Sequence, residues 1–347
     1  MKMKKKKLLI ILLFILLIII SVLSLFVGSS NMKVIEVINA LFFKGNDSFI
    51  RIIYKIRIPR IIAAIVAGGG LSIAGLIMQT TLNNYMASPQ TLGVSNAAVF
   101  GANLSIIIFA GGYFISSNNN ASFFTNSNPF STSFMAFLFA ILSTFLILLL
   151  CKSNEFSPNF VILLGIAMGS LFNALTTLLQ YYATDVGLAA AVVWNFGDLG
   201  RATYLTDIIM FVVLFISIVF FSLNSWRYNA LLSGDNVAKS LGINVKLFRF
   251  ISLLLASLIT ATCVSFLGII GFVGLISPHI CRKIVGNDHR YLIPASLLSG
   301  SILLLLADML SRFINNGVSL PVGSITTLLG LPFFIFIIFK KRGSENA

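Results

Sequence analysis

The sequence predicts an all-α, polytopic membrane protein of about ten transmembrane helices, and three observations carry that reading. The 347 residues are 58% hydrophobic and 10% charged, with a mean hydropathy of +1.00; soluble domains carry about 25% charged residues. Apolar runs of about 18 or more residues recur, each long enough to cross a hydrocarbon core of ~30 Å. Lys and Arg gather in particular connections between these runs, as they do when a bilayer sorts them. A transmembrane barrel would instead show alternating segments of ~10 residues. Too little chain remains for a soluble domain, so residues 1–347 read as a single transmembrane domain.

The first span, residues 8–27, follows the basic stretch MKMKKKK. A cleaved signal peptide is the alternative, but the apolar run is longer than the usual 7–15 residues and no A-x-A site follows, so a retained helix is expected. The second span, 61–82, opens at Pro59, which suits a first helical turn. A third span over 92–112 leads into the polar stretch Ser116–Phe130, read as an external loop without structure of its own. The fourth span is 133–151, and the fifth, 159–181, is opened by the turn SPNF. The fifth carries GIAMG, a Gly165/Gly169 pair suited to close helix contact. The sixth is 204–223, followed by the longest internal loop. The seventh and eighth, 246–265 and 267–284, are nearly continuous, and Gly268, Gly271 and Gly274 mark the split. The ninth and tenth are 291–312 and 322–339. Residues 63–89 run apolar and small-rich into ASP, ending at Pro89, and residues 256–278 run likewise into ISP, ending at Pro278. Opposed directions for these two stretches suit an inverted repeat; chance likeness between apolar helices is the alternative.

The net charge of +14 does not imply nucleic acid here. With the N-terminus placed in the cytoplasm, the span count puts the C-terminus there too, with 16 of the 24 Lys and Arg inside and 8 outside. Six of those eight lie between Lys33 and Arg60, so "RIIYKIRIPR" is a concentrated exception that needs a cause. Arg57 and Arg60 flank Pro59 at the membrane surface; they are either a docking site for an acidic external partner or a pair of snorkelling anchors. Arg312 ends the ninth span on the same face, within i,i+4 reach of Asp308. It is either half of a local ion pair or a third member of the patch.

Inside, residues 231–245 hold a short helix, with Asp235 as its N-cap and Gly242 as its C′ glycine. Val237, Ala238 and Leu241 would share one apolar face that seeks a partner surface, or that packs on the protein's own helix ends. His279 and His289 lack a third ligand, so no metal site is expected. Cys151, Cys263 and Cys281 read as packing residues. There is no G-x-x-x-x-G-K-[ST], no H-E-x-x-H, and no acidic residue at mid-span; Asp185, Asp198 and Asp207 map near span ends or external loops. No catalytic residue and no cofactor is expected in this chain, which argues against an intramembrane enzyme and against an ion-coupled secondary transporter.

The ordered segments RIPR, NNYMASPQTLGVS, GDNVAKSLGI, GLISPHICR, NDHR, AD…R and LPVG…G.PFF resemble the FecCD permeases of bacterial ABC importers, which serve iron–siderophore, haem and cobalamin uptake. The resemblance runs from about residue 50 to 340 and implies a type II importer permease with opposed repeats in the cytoplasmic membrane. It implies a second permease subunit, two cytoplasmic ATPase subunits and an external binding protein as partners. It also implies that Asp235 to Gly242 receive the ATPase, that Arg57, Arg60 and Arg312 receive the binding protein, and that the fifth span lines the path. Two positions depart from the family pattern: Asn84-Tyr85-Met86-Ala87 stands where NPLA is usual, and Ser319 stands where Glu is usual.

Overall fold

The computed structural model describes residues 3–28, 32–109, 129–151, 157–314 and 320–332. Among the described residues, seven helices are long and apolar enough to cross a membrane. The eighth expected span, 267–284, is shorter as a helix than the sequence suggested, because residues 268–272 are non-helical.

Helix α1 (Met3–Phe26) runs from what is called here the near end of the bundle to the far end, and starts at the lysines rather than at Leu8. Two short helices, α2 (Val34–Leu41) and α3 (Asp47–Ile52), form a cap at the far end. The cap has a small core of its own, in which Val37, Ala40 and Ile53 pack with Leu25 and Phe26 of α1. A π turn, Ile53–Arg57, joins α3 to α4 (Ile58–Thr81), so the second span is one continuous helix from Asp47 to Thr81.

Helix α4 is the centre of the molecule and is buried along nearly its whole length. Its small residues allow this. A Cβ on Gly75 would lie 1.8 Å from the Gly274 carbonyl oxygen, and one on Gly68 would lie 2.5 Å from that of Gly300. Backbone therefore packs directly on backbone.

Past α4 the chain loses helical form over residues 82–93 and resumes as α5 (Val94–Leu104), which a π turn extends to Phe109. Helices α6 (Pro129–Cys151) and α7 (Pro158–Tyr181) pack with α5 as a second group. A short helix absent from the sequence reading, α8 (Asp185–Asn195), follows α7 at the far end; Thr184 caps its start by accepting from the Gly187 amide. Helix α9 (Tyr204–Leu223) returns to the near end, where α10 (Ser225–Leu232) and α11 (Asp235–Ser240) lie.

Helix α12 (Val245–Leu267) starts where α4 ends and runs antiparallel to it. Gly268, at φ +78°, ends it. The seventh and eighth spans are thus divided by a non-helical stretch, 268–272, and α13 (Val273–Val285) is short. Pro278 lies inside α13, whereas Pro89 lies in the break after α4. Helix α14 (His289–Ile314) packs along α4, and α15 (Val322–Pro332) closes the described chain. Most of the polar loop before α6 and Ser319 lie outside the described residues.

The three cysteines are buried and unpaired, filling packing space. Replacing Gly75 with Ala should force α4 from α13 and lower stability by about 1–3 kcal/mol or more. Thermal unfolding of the purified protein in detergent measures it, and an unchanged midpoint would mean the contact yields freely.

Candidate functional site

Three regions stand out, one at each end and one between. At the far end, Arg57, Arg60 and Arg312 come together, but inside the protein: they are 4%, 8% and 6% exposed. Arg60 Nε donates to Asp308 Oδ1 at 2.7 Å, and Arg312 Nη2 lies 2.9 Å from Asp308 Oδ2 as an ion contact off the hydrogen-bond axis. Asp198 stands 3.9 Å from Arg60. The arginines also reach the last turn of α1. Arg57 donates to the Leu25 carbonyl, and Arg312 donates to the Ser24 hydroxyl at 2.6 Å and to the Val27 carbonyl. The last carbonyls of a helix have no partner within it and carry the negative end of its dipole, so two guanidinium groups suit that place. Charge pattern alone placed these arginines at the surface; the end of α1, out of reach of any local motif, covers Arg57 and Arg312, and Asp308 holds Arg60. The cations that are exposed at this end are Lys33, Lys44, Arg51 and Lys55.

At the near end, α11 sits between Gly234 and Gly242, at φ +107° and +80°. Gly234, not Asp235, is its N-cap. Asp235 is occupied by Arg249, with contacts of 2.9 and 3.2 Å. Ala238 is fully buried, while Val237 and Leu241 are 44% and 57% exposed, so the three do not share one outward face. Arg249 Nε also donates to the Thr81 carbonyl at 2.8 Å, capping α4. One guanidinium thus links α11, α12 and the end of α4. Arg282 of α13 donates to Gln79 of α4 and lies 4.6 Å above the Tyr85 ring. His289 Nε2 meets Thr80 Oγ1 at 2.9 Å. Beside it Asp288 accepts from Asn229. Burial acts to raise the Asp288 carboxyl, but the Asn229 bond, the Arg290 amide and the charges of Lys6 and Arg290 outweigh this and hold it below the ordinary range.

Between the ends, the break after α4 turns at Gly93, φ +69°, against α7. A Cβ on Gly93 would lie 2.8 Å from the Gly165 carbonyl, and Asn96 donates to the Gly169 carbonyl at 3.1 Å. The Gly165/Gly169 pair is thus the seat for the break. Beyond it, α7 exposes Ser170, Asn173 and Thr177 at helical spacing. The Thr177 hydroxyl donates to the Asn173 carbonyl at 3.0 Å, and a row of polar side chains on one face of a membrane helix favours protein or water over lipid. A cavity of about 490 Å³ opens beside the same break, lined in part by Pro89, Ser88, Ser95 and Thr260.

The FecCD transport family profile matches residues 16–340. This chain belongs to the FecCD transport family. Its relatives match nearly end to end. A Methanocaldococcus jannaschii protein that carries the provisional name of an ABC transporter permease is 47% identical, over 92% of this chain and 90% of its own. The iron(3+)-hydroxamate import system permease protein FhuG of Bacillus subtilis is 34% identical, over 92% and 93%. The hemin transport system permease protein HmuU of Yersinia pestis is 31% identical, over 94% and 95%. Among solved structures, an inward-facing conformation of a transporter provisionally described as a metal-chelate type ABC transporter superposes with a TM-score of 0.81 at 28% identity. It covers 96% of this chain and 99% of that one.

In this FecCD chain, Asp308 is the only described carboxylate within 3 Å of the far-end arginines. Asp308→Ala should leave the buried Arg312 guanidinium without a described carboxylate and Arg60 with only Asp198 at 3.9 Å, and cost about 3–5 kcal/mol. The measurement is thermal stability of the purified variant, with Asp308→Glu as the partial restoration.

Proposed function

We propose that this chain is the permease subunit of an ATP-driven importer for an iron–siderophore or related metal chelate. Haem or cobalamin is the alternative cargo. Two permease subunits would enclose the path, two ATPase subunits would dock at the near end in the cytoplasm, and a binding (lipo)protein would deliver cargo to the far end outside. ATP hydrolysis belongs to the partner, and this chain supplies movement rather than covalent chemistry.

The observation that carries the reading is the Arg249 junction. A partner pushing on α11 moves Asp235, which Arg249 ties to the end of α4 and hence to the break that follows. Exposed Val237 and Leu241 fit the ATPase surface; Ala238 instead fastens α11 to the bundle. The polar stripe of α7 supports this helix as path lining. At the far end, the exposed Lys33, Lys44, Arg51 and Lys55 are the cations available to an acidic partner, favouring fast, salt-sensitive encounter. Arg57, Arg60 and Arg312 would hold the base of that surface and meet the partner only if docking opens their cover.

Leu241→Asp should cost about 2 kcal/mol or more at the ATPase interface, roughly a thirtyfold loss of affinity. Co-purification of the ATPase and ATP-driven uptake in proteoliposomes read this out; normal assembly would count against the coupling role. A cysteine replacing Lys55 should react with a membrane-impermeant maleimide in intact cells, and one replacing Lys239 only after lysis. The reverse pattern would invert the threading.

A further inference from the structure

A second cavity, of about 460 Å³, lies where three interruptions of the helices converge: the end of α8, the 268–272 stretch and the start of α15. The break after α4 sends Gln90 into the same space. The walls there are tightly tied. The Asp198 amide donates to the Leu267 carbonyl and the Val322 amide to that of Gly197, each at 2.8 Å. Phe196 and Ile269 form a parallel bridge. The side chains pointing inward are less well satisfied. Asn195 Oδ1 is buried without a hydrogen-bond partner. The Gln90 amide is exposed to the chamber and bonds to no other described side chain. Gly271 makes room for it: a Cβ there would lie 2.9 Å from Gln90 Nε2 and 3.3 Å from Thr327 Oγ1.

We propose that this chamber is a cargo-contact site for neutral, oxygen-rich chelates, with Gln90, Asn195 and Thr327 as the groups that read them. An amide offers both donor and acceptor, so Gln90 and Asn195 can meet carbonyl oxygens and hydroxyl or amide hydrogens of a ligand, and the Thr327 hydroxyl can accept one bond more. Broken helices between the membrane faces are where transporters place their ligands. Gly93, three residues after Gln90, seats the segment on α7 at Gly165 and Gly169. Among the described residues, the lining holds no Lys, Arg, His, Asp or Glu. An anionic chelate would find no counter-charge there, and an uncompensated desolvated ion is disfavoured by several powers of ten. The inference rests on the import reading above and specifies its cargo.

The test uses the full complex with ATPase and binding protein in proteoliposomes. Four probes are offered: a ferric trihydroxamate and cobalamin, both neutral, and ferric citrate and haem, both anionic. Wild type is expected to carry a neutral probe. Gln90→Leu should cut its uptake about tenfold, the loss of one buried hydrogen bond. Concentration dependence on loaded binding protein should stay the same, ATP hydrolysis should persist, and Gln90→Asn should restore most of the rate. Thr327→Val should act in the same direction, about threefold. Unchanged uptake in Gln90→Leu overturns the chamber alone. Carriage of anionic probes only overturns the neutral class and leaves import standing. If wild type carries none of the four, the import reading falls and takes the chamber with it. Loss of assembled complex in both variants would make these residues structural and also overturn the assignment.

Discussion

A bilayer offers no partner to a bare backbone group, and this one constraint governs every irregular segment of the chain. A helix whose last turn is buried, whether inside the bundle or at one of its ends, must have its last carbonyls satisfied by protein. Here arginine does much of that. Arg57 and Arg312 cover the end of α1, Arg249 the end of α4, and Arg201 the end of α8, where it donates to the Val193 and Trp194 carbonyls at 2.7 and 3.2 Å. Burial lowers the Arg201 guanidinium from its ordinary value, with Asp198 acting against the shift. A guanidinium suits the task because it stays charged when desolvated and presents several donors in one plane. The remaining breaks satisfy one another through the bonds between residues 197 and 322, 198 and 267, and the bridge at 196 and 269.

This arrangement explains what sequence could and could not show. The long spans were legible because apolar length is a local property. The i,i+4 pairing of Asp308 with Arg312, and the turn at Gly242, were legible for the same reason. The breaks were harder to place. Gly268, Gly271 and Gly274 announced a division, but only the structure shows that α12 ends at the first and that the third is a packing contact with Gly75. The burial of Arg57 was invisible, since its cover comes from α1, some thirty residues away in sequence, and that of Arg60 because its partner Asp308 lies far along the chain. Asp207 does lie near a span end, in the first turn of α9, but burial there leaves neither of its oxygens bonded, which position alone did not show. No pattern within α9 distinguishes that aspartate from a solvated one. Ala238 was misread because a six-residue helix has too few positions to define a face.

The same arginines give α4 an unusual standing in the molecule. At the far end Arg60 anchors it to Asp308 of α14; at the near end Thr81 and Gln79 bind Arg249 of α12 and Arg282 of α13. Along its length, glycine contacts leave no slack against α13 and α14. A helix packed on backbone and held by charge at both tips moves as a rod rather than bending, because either tip can shift only by dragging a desolvated ion pair or uncapping a carbonyl. Compliance must then lie in the segment that follows, residues 82–93. Two of its side chains sit at telling places: Tyr85 beneath Arg282, and Gln90 in the chamber. Displacement of α11 through Arg249 would therefore be delivered to the one stretch of this region that is both non-helical and in contact with the proposed path.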